Sequence, residues 1–382
     1  MSNRGTGRHF AFAPRLVNRI RVALVAPTHA FLGGHSVQAD RLVRCWRDDP
    51  EYDVFQIRID PPFPGPLDRV RALRGVRTAV RELLYWRELV EGIQRADIIH
   101  VFSAAYRSFL LASLPAVAAA RLLGRPVVFN YRSGHAVDHL RRSALLRAVL
   151  MTADVNVVAS RFLARVFGRI GAAARTIPNV VDTTQFRFVE RPARADVLST
   201  RNFERRYNVA CTLRAFQLVQ DRVPHATLTL VGSGPEERAL KKLAADLRLS
   251  SVRFVGPVAP DRMSSHYARA GVYVQTSDVD NMPNSLLEAF ASGLPAVATR
   301  AGGVSAMARH GVHALLARRG DHVEVAHHVL ELLADNARGV DLARAARGVA
   351  DRGAWEHVGP LWRVVYHEAR ATQLVEVAPQ PA

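Results

Sequence analysis

Asp280 and Glu288 have seven residues between them and straddle an Asn-Met-Pro-Asn turn, in the stretch DVDNMPNSLLEAFASGLPAVATRAGG that runs from Asp278 to Gly303. Two carboxylates so placed can do structural or chemical work. GVYVQTS, just before them, reads as a strand, and Ser285 to Ser292 reads as a helix ended by Gly293 and followed by Pro295. Ser285-Leu-Leu-Glu288 has the spacing of a capping box, in which the serine accepts from a helical N–H and the glutamate reaches back; Asp280 is then a turn residue. The same order also puts both carboxylates at the C-terminal edge of a parallel sheet, where open α/β folds bind ligands. A helix beginning after Pro283 turns its free N–H groups and positive dipole end toward that edge, which suits a phosphate. Donors for an anion beside carboxylates that accept from vicinal hydroxyls match a nucleotide sugar.

The elements that must position these residues recur along the chain. RVALVAP is an apolar strand, THAFLGGHSVQADRLVRCW a glycine loop leading into an amphipathic helix, and together they open a doubly wound α/β domain. Further strands are expected at DVFQIRI, ADIIHVFS, RPVVFNYR and ADVNVVAS, with helical segments such as LDRVRALRGVRTAVRELLYW between them. IPNVVDTTQFRFVERPARAD, with its turn residues and prolines, reads as a connector. The alternation restarts with ATLTLVGSGPEERALKKLAADL, SVRFVGPV, GVYVQTS, LPAVAT and HALLA, including a glycine turn at Gly232-Ser-Gly234-Pro235. A chain of 382 residues suits two such domains with a cleft between them. The closing AWEHVGPLWRVVYHEAR is a helix whose aromatic surface needs a partner to cover it.

Composition narrows the function. Cys45 and Cys211 are the only cysteines, far apart and at no metal-binding spacing, so a reducing compartment is expected. No apolar run is long enough to span a bilayer, and the basic N-terminus lacks the apolar centre of a secretory signal. The net charge is +18, and residues 1–190 hold 28 arginines against 15 acidic residues. That asymmetry has two readings, an arginine-favouring genome or a basic face for an anionic membrane or acceptor. No nucleic-acid-binding module accompanies it.

Asp280-x7-Glu288, then Ala289, Gly293, Pro295, Ala298, Thr299 and Gly302-Gly303, resembles the signature of the retaining glycosyltransferases called group 1, or family 4. GGHSVQADRL, DVNVVASRFL, IPNVVDTTQF, LVGSGPEERAL, VRFVGPV and WEHV…LWRVVY extend the resemblance over almost the whole chain. It implies a GT-B fold: two Rossmann-like domains, residues 1–186 for the acceptor and 187–354 for the nucleotide sugar, with 355–382 crossing back onto the first. The resemblance assigns Glu288 to the donor ribose and Asp280, where the family more often has Glu, to the transferred sugar. The backbone at Asn281, Met282 and Asn284 would line sugar and diphosphate, Ser285 and Leu286 would offer N–H groups to phosphate, and Gly256 to Val258 would face the base. Gly33 and Gly34 would let the chain approach the diphosphate, or form an ordinary tight turn.

Arg201 matches the arginine that the family places on the leaving diphosphate. Arg206 stands where a lysine is usual, and either replaces it or faces solvent. Ala306 stands where the family's glycine pair is followed by a glutamate. His135 lies where the family has an active-site histidine, with Arg132, His35 and His100 as alternatives. The reaction implied is transfer of a sugar, UDP-linked by the family's habit, to an acceptor hydroxyl of a glycan or lipid-linked saccharide, with retention of configuration. No cofactor and no metal are expected, on the reading that no Asp-x-Asp metal motif is present, so that cationic side chains take the ion's place, and on the family's working without one. Front-face attack is favoured over a covalent intermediate, because no carboxylate is placed on the reacting face of the sugar. Work at the inner face of the cytoplasmic membrane fits the basic first half. A sugar nucleotide epimerase of the same shape and a non-catalytic sugar-nucleotide-binding subunit are the competing readings.

Overall fold

The chain is described here from a computed structural model, over residues 19–28, 33–65, 74–191 and 194–377. The N-terminal tail, part of the segment after Pro64, and residues 378–382 lie outside the described residues.

The first half builds β1 (Ile20–Ala26), α1 (Gly34–Cys45), β2 (Tyr52–Arg58), α2 (Arg74–Arg95), β3 (Ile98–Ser103), α3 (Leu114–Leu122), β4 (Val127–Tyr131), α4 (Ala136–Arg142), α5 (Ala144–Thr152), β5 (Val155–Val158), α6 (Arg161–Gly168) and β6 (Arg175–Thr176). The second half builds β7 (Asp196–Ser199), α7 (Val209–Arg222), β8 (Thr227–Val231), α8 (Glu237–Asp246), β9 (Val252–Gly256), α9 (Met263–Arg269), β10 (Val272–Gln275), α10 (Asn284–Ala291), β11 (Ala296–Thr299), α11 (Val304–Met307) and β12 (Leu315–Ala317). It closes with α12 (His322–Ala334), α13 (Asn336–Asp351) and α14 (Trp355–Val377).

Each half holds one six-stranded sheet, in the orders β2-β1-β3-β4-β5-β6 and β12-β11-β10-β7-β8-β9, with every pairing parallel. The fold is therefore two doubly wound α/β units of GT-B type, as expected. Both orders reverse beside their first strand, between β1 and β3 and between β7 and β10. At such a switch point the loops leaving neighbouring strands diverge and leave a crevice.

Continuous apolar strands are buried on both faces, as β1 and β3 are, because helices cover each side. β7 is the element that the sequence conceals. It begins at Asp196, the last residue of the stretch read as a connector, and has no long apolar run, yet pairing with β8 on one side and β10 on the other makes it central.

The last helix leaves the second unit and lies on the first. Val358, Trp362, Val365, Tyr366 and Ala369 share a core with Ile20, Leu24, Trp46 and Val128. Trp46 meets Trp355 edge-on at 4.9 Å, and His100 Nδ1 lies 2.9 Å from the Tyr366 hydroxyl. Removing a buried aromatic of this kind costs about 3–5 kcal/mol. The helix is therefore a strong tie between the ends of the chain.

Candidate active site

Arg201 and Asp280 leave the C-terminal ends of β7 and β10, the two strands that flank the second switch point. The guanidinium of Arg201 donates to Asp280 Oδ2 at 2.6 Å and to Ser285 Oγ at 2.9 Å. It lies 4.0 Å from the Tyr207 ring centroid and is only 8% exposed. Burial pulls its pKa down, but the Asp280 carboxylate and the Tyr207 ring outweigh that and hold it above the usual arginine range. Asp280 Oδ1 accepts from its neighbour's N–H, that of Asn281, at 3.0 Å. A charge-assisted pair is thus fixed at the sheet edge, beside the start of α10.

Glu288 lies one turn inside α10 and is buried. Its Oε1 is paired with Arg41 of α1 at 2.6 Å, and its Oε2 accepts from the Tyr267 hydroxyl at 2.9 Å. The capping box does not form. α10 starts at Asn284 after Pro283, no side chain caps it, and Ser285 Oγ is engaged with Arg201 and Gln275. Neither carboxylate caps the helix: Asp280 is held by Arg201 and the Asn281 N–H, and Glu288 by Arg41 and the Tyr267 hydroxyl.

The first domain supplies the opposite wall. Gly33 has extended backbone, which any residue can adopt, and Ser36 Oγ donates back to its carbonyl. The Gly34 carbonyl accepts from Asn284 Nδ2 at 3.0 Å, and a Cβ there would make only ordinary contact, 3.5 Å from the same nitrogen. Asn179 donates to the Met282 carbonyl and to Asn284 Oδ1, and Gln38 reaches the same oxygen. Asn281 Oδ1 meets the hydroxyl of Ser160, and its Nδ2 points to the Arg132 carbonyl. Asn281, Met282 and Asn284 therefore join the two domains across the cleft.

Arg132 and two histidines stand on this wall, and Arg206 of the second domain acts on both histidines. Arg132 is buried, donates to Asn179 Oδ1, stacks over Phe102, and meets no carboxylate among the described residues. Burial lowers its pKa to about 10, so it stays charged at neutral pH. His35 is held near 3, first by burial and then by the charges of Arg132 and Arg206. His135 precedes α4, packs on Tyr106 and is lowered by burial and by Arg206. Arg206 pairs with Glu204 at 2.8 Å and is half exposed, yet its charge is felt at both histidines, which puts it on the cleft rim. His100, among the alternatives, is buried beneath α14 between Tyr366 and Asn130, where burial and the charge of Arg132 hold its pKa low.

Glycines let the walls meet. A Cβ on Gly134 would stand 2.9 Å from the Asp280 carbonyl, and one on Gly303 2.2 Å from the Asn281 carbonyl. Gly302-Gly303 thus supports the carboxylate loop from behind. Gly256 ends β9 with open space around it, Val258 packs on the cluster that holds Leu286, and Ala306 is exposed on α11. Asp278 and Asp280 also stand at an Asp-x-Asp spacing that suits a divalent ion, a signal against the expected metal independence. Here Asp280 is taken by Arg201, and Asp278 accepts from Asn208 Nδ2 at 3.3 Å. Arg41, Gln38, Asn179, Tyr267 and Gly134 are the site residues that the sequence did not single out.

The chain resembles known proteins in both halves. The family described as Glycosyltransferase Family 4 matches residues 5–185, and that described as Glycosyl transferases group 1 matches 194–335. The chain is 32% identical to the GDP-mannose-dependent alpha-(1-6)-phosphatidylinositol monomannoside mannosyltransferase of Mycobacterium tuberculosis, over 60% of its own length and 66% of that protein's. With the protein of the same name from Mycolicibacterium smegmatis it shares 30% identity over 66% of this chain and 70% of that one. Among solved structures, sucrose-phosphate synthase from Thermosynechococcus elongatus superposes with a TM-score of 0.72 at 20% identity, covering 93% of this chain and 100% of that one.

Proposed function

Since this chain belongs to glycosyltransferase family 4, we propose that it moves a sugar from a nucleoside diphosphate to an acceptor hydroxyl with retention of configuration. The observation that carries the reading is one arrangement. Asp280 and Glu288 sit at the second switch point, and across the cleft the first domain offers a buried cation, Arg132, that meets no carboxylate among the described residues. Carboxylates suit sugar and ribose hydroxyls, whereas a buried guanidinium suits a diphosphate.

In the reaction the bond from the anomeric carbon to the diphosphate oxygen breaks, and a bond to the acceptor oxygen forms on the same face. The acceptor proton passes to the departing phosphate. Negative charge grows on the diphosphate, where the cationic side chains of Arg201, Arg206 and Arg132 stabilise it. Asp280, shorter than the usual glutamate by one methylene, helps select the sugar. His35, held near 3, is neutral at working pH and acts as a hydrogen-bonding group rather than a charge.

The uridine expectation has no residue of this structure behind it. Two relatives bear GDP-mannose-dependent names, so GDP-mannose is tested beside UDP-glucose. For the acceptor we favour an amphiphile with a sugar headgroup at an anionic surface. Tyr106, Leu110, Leu111, Val137 and Leu145 are exposed on the segments after β3 and β4, interleaved with Arg107, Arg141, Arg142 and Arg147. Apolar contact and positive charge together are what peripheral binding to an anionic bilayer needs.

The test is turnover of the full chain in EDTA with both donors and with vesicles of anionic glycolipid. Nucleoside diphosphate should be released and the product should keep the donor's anomeric configuration, read by NMR. Nucleotide binding without release from any acceptor would leave the binding-subunit reading. Abolition by EDTA with restoration by Mg²⁺ would instead give Asp278 and Asp280 a metal.

A further inference from the structure

Outside the cleft, α12 carries a group of side chains that the transfer reaction does not use. His327, His328 and Glu331 each offer one ligand atom, and these atoms lie within 4.8 Å of one another. His328 is the informative member. It is only 9% exposed, and neither of its ring nitrogens makes a hydrogen bond to any described residue. A buried, unsatisfied imidazole costs about 1–3 kcal/mol, so such a group calls for a partner.

The surroundings say what partner. His328 Nδ1 faces Glu331 Oε2 at 3.5 Å, which is long for a hydrogen bond. Two ligand atoms each about 2.0–2.1 Å from a tetrahedral ion stand roughly 3.3 Å apart. The observed spacing is close to that edge. On the other side of the ring, Nε2 faces Glu324 Oε1 at 3.9 Å. A metal-bound imidazole commonly gives its second N–H to a carboxylate, which fixes the tautomer. Glu324 holds the position for that role. Its other oxygen, Oε2, is occupied by the Arg318 backbone N–H at 2.7 Å, which anchors the carboxylate.

The remaining neighbours are compatible. Arg338 approaches Glu331 through Oε1 at 3.6 Å, leaving Oε2 free for an ion. The His310 ring lies tilted against His328, with centroids 5.5 Å apart, but its Nδ1 accepts from the Leu316 N–H at 2.9 Å, so it supplies an aromatic wall rather than a ligand through that atom. On a helix, His327 and Glu331 are one turn apart and share a face, and His328 with Glu331 does so at the shorter step. His327 is exposed, which leaves a route for an ion and for water.

We propose that His327, His328 and Glu331 bind one divalent transition ion of the Zn²⁺ class, with water in the remaining position and Glu324 orienting His328. Two imidazoles and a carboxylate select such an ion over Mg²⁺ or Ca²⁺. The site is separate from the donor cleft and stands whether or not the transfer reading does.

The experiment is titration of the EDTA-stripped, tag-free full chain with Co²⁺ and then Zn²⁺, followed by visible spectroscopy and calorimetry. One equivalent of Co²⁺ should give d–d bands that Zn²⁺ abolishes. Glu331→Gln and His328→Ala should each weaken binding at least tenfold, and Glu324→Gln tenfold to a hundredfold if it orients the ring. His313→Ala, on a neighbouring loop, should change nothing. Should His328→Ala fail to fold, Glu331→Gln at a partly exposed position still decides. Absence of stoichiometric binding, or equal binding by wild type and Glu331→Gln, overturns the proposal.

Discussion

Arg201 and Asp280 satisfy each other almost out of contact with water, and this sets what their replacement does. Breaking a buried ion pair from one side leaves an uncompensated charge, which costs about 3–5 kcal/mol, whereas replacing both partners by apolar groups is often nearly neutral. Asp280→Leu alone should therefore lower the urea midpoint strongly, and Arg201→Met with Asp280→Leu should recover most of it. Turnover should stay absent in both variants. Equal destabilisation of the single and the double variant, in urea melts, would show that the pair does not act as a unit. At this scale the sequence exposed what lies close along the chain. Asp280, Ser285 and Glu288 share one short stretch, so their common edge was legible. Arg41 and Glu288 are 247 residues apart and Asn179 and Asn284 are 105, and they meet only because the domains dock. Arg41 in particular reads as one more helical arginine until Glu288 is seen beside it.

Among the elements, the loops after β4 and β10 decide how closely the two walls approach. Gly134 touches the Asp280 backbone across the cleft, and a methyl group there must push the carboxylate loop away. Gly134→Ala should leave circular dichroism and cooperative unfolding close to wild type, yet lower kcat/KM at least tenfold by misplacing Asp280. Unchanged kinetics would mean that this contact does not set the site. Most strands and the Gly33-Gly34 loop were readable from apolar runs and turn residues. β7 was not, because sheet pairing on both sides substitutes for the long apolar run that identifies a strand in sequence. The capping box misled for a related reason. Ser285 and Glu288 have the right spacing, but Arg201 and Arg41, distant in sequence, bind their side chains more strongly than free helical N–H groups do.

Across the whole molecule, the two sheets face each other through their switch points, and α14 ties the chain end back to the first domain. The excess of arginine in residues 1–190 is not spread evenly in effect, since Arg132 brings to the cleft a buried charge that meets no carboxylate among the described residues, while most others lie on the surface. A nucleoside diphosphate sugar seated between the walls would complete both, giving Arg132 its anion and Glu288 its ribose. The direct measurement is calorimetric titration of GDP and UDP into wild type, Glu288→Gln and Arg132→Met. One equivalent of nucleotide should bind wild type, and each variant, though altered in a different domain, should lose at least tenfold in Kd, about 1.4 kcal/mol. Undiminished binding by Arg132→Met, or no binding of either nucleotide by wild type, would contradict a donor held across the cleft.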